Sequence, residues 1–426
     1  MAQAAFEFIR TTTTPSSSSS TSNITLPGTP AGSAPAGSGL DATGFTIGWD
    51  HARHRITPPL AHLNDHNPVG QGWAAGRTAF GERRLRSSAA VRQWLALRLQ
   101  AWQTGAVFED QQVNPAFLAR IDVPQCPVSR VPLLLATGGA DDATVLRLNT
   151  AAAYAAGNLA VVSRQVAQAW GHGDWQAALA QADALAADRA GGANRGSSAS
   201  SASSTNQPGL DAAAWQRLVV LTSFATPLPH AQAALLPLHV LPPNRVRVIN
   251  PVQALQVMLT LQFSQGGYAR RLLGLSALVP GADARQAFQI FMHTLLARRL
   301  AVGSQPTPQQ LRQAMEDTWA DVLVQRRWQR LASRLGAADC ELLLQRASQR
   351  GLVVGGGRWM SADAATEGWA LAAPAAVPAR SAAAAADQAR LAGTLPALAA
   401  RPGSARKRGS QNAASCAGLT DCSSRQ

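Results

Sequence analysis

The stretch DHARHRITPPLAHLNDH, residues 50–66, holds His51, His54, His62 and His66, half of the histidines in the chain, with Asp50 and Asp65 beside them. Imidazoles three or four residues apart meet at one zinc ion when a helical turn or a hairpin presents them together. Pro58 and Pro59 split these pairs and no cysteine stands nearby, so the same residues also read as a polar entry loop whose histidines cap turns. A second chemistry is phosphate recognition. Arg83, Arg84, Arg86, Arg92 and Arg98 crowd a stretch whose one acid is Glu82, with Trp94 and Trp102 near them. Arg326, Arg327, Arg330 and Arg334 surround Trp328 with no acid among them. The guanidinium fork grips phosphate through two parallel hydrogen bonds. Stripes of it release counterions from a polyanion, giving salt-sensitive, sequence-blind binding. In an arginine-biased chain such clusters also arise as ordinary solvated helix faces.

The segment IDVPQCPVSRVPLLLATGGADDATVLRLNTAAAYAAGNLAVVS, residues 121–163, carries a more specific pattern. Cys126-Pro127 followed by Pro132-Leu133 matches an entry written C-P-x-[ST]-x-x-P-L. Arg147, Leu148, Asn149, Tyr154, Asn158, Leu159 and Ser163 match R-I-[ND]-x-x-x-G-Y-x-x-x-N-[LV]-x-x-[VM]-S. Together they resemble a module of certain HNH-type nucleases, over about 40 residues of the chain. The resemblance implies two short strands and a helix, a ββα unit. It also implies phosphodiester cleavage by a histidine that activates water beside one divalent metal.

The departures fall on the chemistry. No histidine occurs between His66 and His172, and Leu146 stands at the acidic position before the arginine. Ala153 replaces the glycine before Tyr154, and Val166 stands near an expected asparagine. Asp141 and Asp142 would reach a metal only if their loop folded back, and His51 or His66 would have to arrive from elsewhere in the fold. The segment therefore implies a degenerate module that keeps shape and makes no cut, with no catalytic residue and no cofactor assigned.

The elements that must position these residues follow from composition. The 426 residues include 38 basic and 24 acidic side chains, a net charge of +14, and Lys407 is the only lysine. That skew and the alanine excess are the codon signature of a GC-rich bacterial genome. Cys126, Cys340, Cys416 and Cys422 form no close pair, which reads as reduced thiols rather than a disulfide frame. MAQAAFEFIR lacks the apolar run of a signal peptide, and VQALQVMLTLQF (252–263) is short for a membrane span. The expectation is a cytoplasmic protein without a membrane partner. Phosphate-loop, dinucleotide, nucleophile-elbow and zinc-protease motifs are missing from the sequence.

Low-complexity stretches set the expected boundaries: a Ser/Thr/Pro/Gly-rich segment over 1–44, a Ser/Gly linker over 188–208 and an Ala-rich basic tail over 372–426, all too poor in large apolar side chains to order themselves. Between them lie a basic α+β region, 45–187, and a helical domain, 209–371, making the fold class mainly α. In the first, TIGWDHARHRITPP reads as extended or looped, and a helix runs from Ser87 with Val91, Leu95, Leu99 and Trp102 on one side. A strand or turn is expected near 145–148 and a helix from Asn158 or Ser163 to Trp170. In the second, Asp283 with Gln286 and Thr307 with Pro308 mark helix starts. Phe288, Phe291, Met292 and Leu295 form one face, Leu311, Met315, Trp319 and Val322 another. Gly336 marks a stop, Asp339 a cap, and LVVGGGRWM a β-hairpin at the edge of the bundle.

Three functions remain open at this point: a non-catalytic nucleic-acid-binding protein using arginine-rich faces, a helical scaffold whose second domain meets a protein partner, and a metal-dependent HNH-like nuclease. The scaffold reading rests on the apolar faces at 252–263 and 284–300, which exceed what a small bundle would cover.

Overall fold

Helix starts in this chain are written by side chains that satisfy orphaned amides. The structure, a computed structural model, describes residues 39–171, 173–193, 209–303, 305–354 and 360–371. The helices are α1 (Gly39–Arg53), α2 (Pro68–Phe80), α3 (Ala89–Gln103) and α4 (Pro115–Ile121), followed by strands β1 (Ala143–Arg147) and β2 (Leu159–Ser163). Then come α5 (Arg164–Trp170), α6 (Trp175–Ala193), α7 (Ala212–Ser223), α8 (His230–Leu235), α9 (Pro251–Leu261) and α10 (Tyr268–Ser276). The last are α11 (Ala282–Ala301), α12 (Pro308–Asp317), α13 (Val322–Ala332), α14 (Ala337–Gln349) and the single turn α15 (Ala362–Ala365). Ser88, Ser163, Asp211 and Asp321 cap α3, α5, α7 and α13, and Thr307 with Gln310 closes a full capping box on α12. The fold is mainly helical, and no helix among the described residues is long and apolar enough to cross a membrane.

The sheet is a two-stranded antiparallel pair, with Ala143 opposite Ser163 and Arg147 opposite Leu159. It stands between two cores. Side chains alternate across a strand, so Leu159 and Val161 face a cluster with Leu97, Phe117, Leu118 and Ile121 from α3 and α4. Ala160 and Val162 face the main core, which runs from Cys126 to Trp369 and gathers α5, α7, α9, α11, α13 and α14. At its centre Phe291, Trp319 and Trp328 meet with ring centroids 5.4–5.7 Å apart, each indole N–H satisfied by Thr260 or by the Ala234 carbonyl. The stretches 45–187 and 209–371 thus share one hydrophobic interior.

Several expectations need correction. TIGWDHAR is helical, and α1 begins within the stretch expected to lack order. Glycine ordinarily weakens a helix, but here Gly44, Gly48, Gly72 and Gly76 line the seam between α1 and α2, which run in the same direction with Gly44 against Pro68 and Gly76 against Ala52. A Cβ at Gly48 would strike the Val69 carbonyl, and one at Gly72 the Phe45 carbonyl. Helix α6 continues to Ala193, past the expected linker start. Residues 159–163 form a strand rather than a helix start. Gly281, not Asp283, precedes α11, without a side-chain cap. Val322 is exposed because Asp321 opens a new helix that turns it outward. Gly336 precedes α14, with Asp339 accepting from its amide at 2.9 Å. The apolar face of α9 and that of α11 as far as Leu296 are packed into the core, while Leu300 at the end of α11 is exposed. Most of residues 1–44, the linker after Ala193, the tail from 372 and the glycines of the expected hairpin, Gly355, Gly356 and Gly357, lie outside the described residues.

Candidate functional site

The loop between β1 and β2 carries Leu148, Asn149, Tyr154 and Asn158 of the nuclease-like positions. Asn149 donates its amide to Asn158 Oδ1 at 2.8 Å, and Asn158 Nδ2 donates to the carbonyls of Asn149 and Ala153 at 3.0 and 2.9 Å. Asn149 Nδ2 donates to the Ala225 carbonyl at 2.9 Å, tying the loop to the end of α7. Trp369 Nε1 donates to the Ala156 carbonyl at 2.9 Å, and Gly157, at φ +93°, lies flat under the Arg247 side chain. Residues Ala152–Ala156 and Asn158 are all buried. The loop that would present groups to a phosphodiester is instead a junction locked by three distant segments.

Tyr154 is buried, stacks on Phe108 and carries the Arg147 guanidinium 4.5 Å above its ring. Burial pushes its phenol up, against the pull of Arg147. Arg147 is half-buried and donates to the Ala152 carbonyl at 3.3 Å, at the side of an open hollow of about 320 Å³ floored by Thr104–Val107 and Thr150–Ala153. Among the described residues it is the only charged side chain lining that hollow. At the other end of the hairpin, Cys126 Sγ accepts from the amides of Ser129 and Ser163 at 3.5 and 3.3 Å, and Ser163 caps α5. Asp142 is buried and accepts from the Thr137 hydroxyl, the amides of Thr137 and Gly138, and Arg164. The Thr137 hydroxyl and amide bonds, with smaller help from Gly138 and Arg164, hold its carboxyl below the ordinary aspartate range. Every lone pair in use points inward.

The four clustered histidines do not converge. His51 is buried and bonds the Ile47 carbonyl one turn back, and burial lowers its pKa. Burial likewise lowers that of half-buried His54. His62 meets Asn67 and Gln103 at 3.2 and 2.6 Å, and His66 is exposed. Among the described residues no three His, Cys, Asp or Glu side chains lie close enough to hold a metal ion.

The arginines divide into structural and surface groups. Arg98 must be removed from the phosphate-contact set: it is buried, paired with Asp50 on α1 and laid 4.6 Å over the Trp94 ring. Its place on the inner face of α3 makes it a brace. Arg327 is half-buried and donates to the Thr294 hydroxyl. Arg84 is half-buried and donates to the Gly81 carbonyl at 2.8 Å. Arg83, Arg86, Arg92, Arg326, Arg330 and Arg334 are exposed.

Two groupings escaped sequence reasoning because their members are far apart in the chain. Arg53 and Arg55 join the 83–86 arginines, since the Leu85 amide donates to the Arg53 carbonyl at 2.8 Å and Arg55 donates to the Glu82 carbonyl at 3.2 Å. In the second grouping, Arg130 pairs with Glu316 and Asp317, and Arg312 with Glu316. Burial raises the Glu316 carboxyl, against the pull of both arginines. Burial and Arg217 push neighbouring His239 down to about 4. No protein-family model matches this chain, and neither does any curated protein or solved structure.

Proposed function

We propose that this is a nucleic-acid-associated protein that grips backbone phosphate through exposed arginines and does not cleave it. The observation that carries the reading is Arg326 and Arg330 one turn apart on α13 with Arg334 in the turn after it, all exposed and unaccompanied by any carboxylate from Val322 to Gly336, the Arg334 guanidinium donating back to the Arg330 carbonyl. Like charges one helical turn apart destabilise a free helix. A polyanion laid along them relieves that repulsion and releases counterions. Asp283 lines a hollow with Arg334, and among the described residues neither Arg326 nor Arg330 forms an ion pair.

The nuclease-like segment fits this role as shape without chemistry. Support for treating 126–163 as a worn HNH-type module comes from the order of β1, loop, β2 and α5, the ββα order that the resemblance implies. Support for its silence comes from the polar side chains it retains: Asn149, Asn158, Ser163 and Asp142 all spend their bonds internally, and the loop is buried. A water-activating base needs an open, positioned lone pair.

The test is binding of the full chain to a labelled duplex across a salt series, together with plasmid nicking in magnesium or manganese. Binding is expected to fall with salt with a log–log slope of roughly −3, the value for three phosphate contacts. R326A/R330A/R334A should flatten it, and no nicking should be seen. No binding at low salt, or binding indifferent to salt, rejects the polyanion reading. Metal-dependent nicking that persists in the purified protein rejects the non-catalytic one.

A further inference from the structure

We infer that the shared C-terminal end of α1 and α2 is a docking site for single-stranded nucleic acid, where Arg53, Arg55, Arg83 and Arg86 meet phosphates and Phe45 and Trp49 meet bases. The inference rests on the polyanion reading above and narrows it to one surface and one substrate class. Two stretches about thirty residues apart build the cationic part. The Arg53 carbonyl accepts from Leu85 and the Arg55 guanidinium donates to the Glu82 carbonyl, so residues 53–55 and 82–86 form one continuous edge. All four of these arginines are exposed. The only carboxylate within the two stretches is Glu82, and Asp50 one turn back is consumed by Arg98. Two parallel helix ends carry about one negative unit between them, which Arg53 and Arg77 of the last turns already answer. Arg55, Arg83 and Arg86 lie beyond that need.

The aromatic part selects the strand state. Phe45 and Trp49 stand one turn apart on α1 with ring centroids 6.3 Å apart and planes 25° from parallel, and Trp49 meets Phe80 edge-on at 5.0 Å. Phe45 keeps 38% of its surface exposed, and Trp49 and Phe80 are half-buried. The near-parallel pair Phe45 and Trp49 offers stacking faces, and Arg53, one turn after Trp49 on α1, and Arg83, whose amide bonds the Phe80 carbonyl, lead from them to the cationic edge. Single strands present unstacked bases to such a platform, whereas a duplex hides them. The rings are also fixed in place, because the glycine seam beneath them brings α1 and α2 into backbone contact at Phe45–Gly72 and Trp49–Gly76.

The experiment compares the intact protein's affinity for a labelled oligothymidylate, a duplex of equal length and phosphatidylserine vesicles, in the parent chain and in R83A/R86A, F45L and R326A/R330A/R334A. The oligothymidylate is expected to bind more tightly than the duplex. R83A/R86A should lower its salt slope by roughly 1.4, the value for two single-strand phosphate contacts. F45L keeps apolar bulk and loses the ring, and should weaken single-strand binding by about fivefold or more while sparing the duplex. Circular dichroism confirms that each variant is folded. Equal affinity for both strand states, an F45L effect equal on both, or preference for vesicles overturns the site. If R326A/R330A/R334A abolishes single-strand binding while R83A/R86A leaves it intact, this site falls and the general polyanion reading stands. If no polyanion is bound at all, both fall.

Discussion

Asn149 and Asn158 exchange hydrogen bonds across the mouth of the β1–β2 loop, backbone amide to side-chain oxygen at 2.8 Å and side-chain amide to backbone carbonyl at 3.0 Å. Reciprocal bonding of this kind turns a ten-residue excursion into a rigid block. The bond from Asn149 to the Ala225 carbonyl then pins that block to α7, and Trp369 pins it from the other side. The loop they close joins two hydrophobic cores, Ala153 and Ala155 facing one and Tyr154 and Ala156 the other.

Asn158→Ala should therefore cost about 3 kcal/mol of unfolding free energy, because it leaves the Asn149 amide and the Ala153 carbonyl buried without partners, while the Asn149 carbonyl keeps only the Ala152 amide. Urea unfolding of the parent and the variant measures it directly. Asn158→Asp keeps the shape and the acceptor but loses both donors and buries a charge, so it should be worse than alanine. A loss below about 1 kcal/mol for both variants would show that the loop is not a structural junction.

The His239 environment fixes a pH dependence. Its folded pKa of about 4, lowered by burial and by Arg217, lies below the ordinary unfolded value near 6.5. Between those values the unfolded chain holds the extra proton, so stability falls as pH drops from about 6.5 to about 4, by roughly 3 kcal/mol in all. Glu316 acts in the opposite sense, since its raised carboxyl takes up a proton earlier in the folded state. Comparing His239→Gln with the parent isolates the histidine: the difference in urea midpoint at pH 7 should shift in the variant's favour at pH 4.5. Parallel midpoint profiles would contradict it.

What the sequence made legible was local. The helix expected from Ser87 begins at Ala89 under a Ser88 cap, and Thr307 with Pro308 opens α12 as expected, because a capping side chain and its amide are neighbours. The stripe Phe288, Phe291, Met292 and Leu295 is buried as its spacing implies. β1 lies where a strand or turn was expected, but β2 takes the place of an expected helix start: it is buried along its whole length, so its residues show no polar alternation. α1 was misread because glycine and the prolines after it are loop signals. The compensation for those glycines comes from α2, which no local rule contains. Charge counting had the same blindness. Arg86 and Arg98 stand in one basic stretch, yet one is exposed and the other braces α1, and nothing in their spacing separates a face from its back.

That separation is itself testable. Arg98→Gln removes the partner of a half-buried Asp50 carboxylate, and breaking a pair of this kind costs about 3 kcal/mol. The same variant should leave the salt slope of nucleic-acid binding where it was, because Arg98 reaches no surface. A lowered slope in a protein that remains fully folded would put Arg98 back among the phosphate contacts.

The glycine seam gives the sharpest structural prediction, because a single methyl group suffices to test it. Gly48→Ala places a Cβ against the Val69 carbonyl and the Trp73 amide, both backbone atoms that no rotamer change can move. Overpacking of this sort costs about 1–3 kcal/mol. Among the described residues the α1–α2 pair meets α3 through the small cluster Ile47, Val69 and Leu99, through Trp102 and through the Arg98–Asp50 pair, and takes no part in the main core, so the cost should appear as local opening rather than global collapse. Hydrogen exchange should quicken throughout α1 and α2 while amides of α9, sealed in the main core, keep their protection. Single-strand binding should weaken in step with that opening even though no arginine and no aromatic ring has been altered. Unchanged exchange in α1 would mean that the two helices tolerate separation, and the rings above them would then lack the fixed spacing that stacking requires.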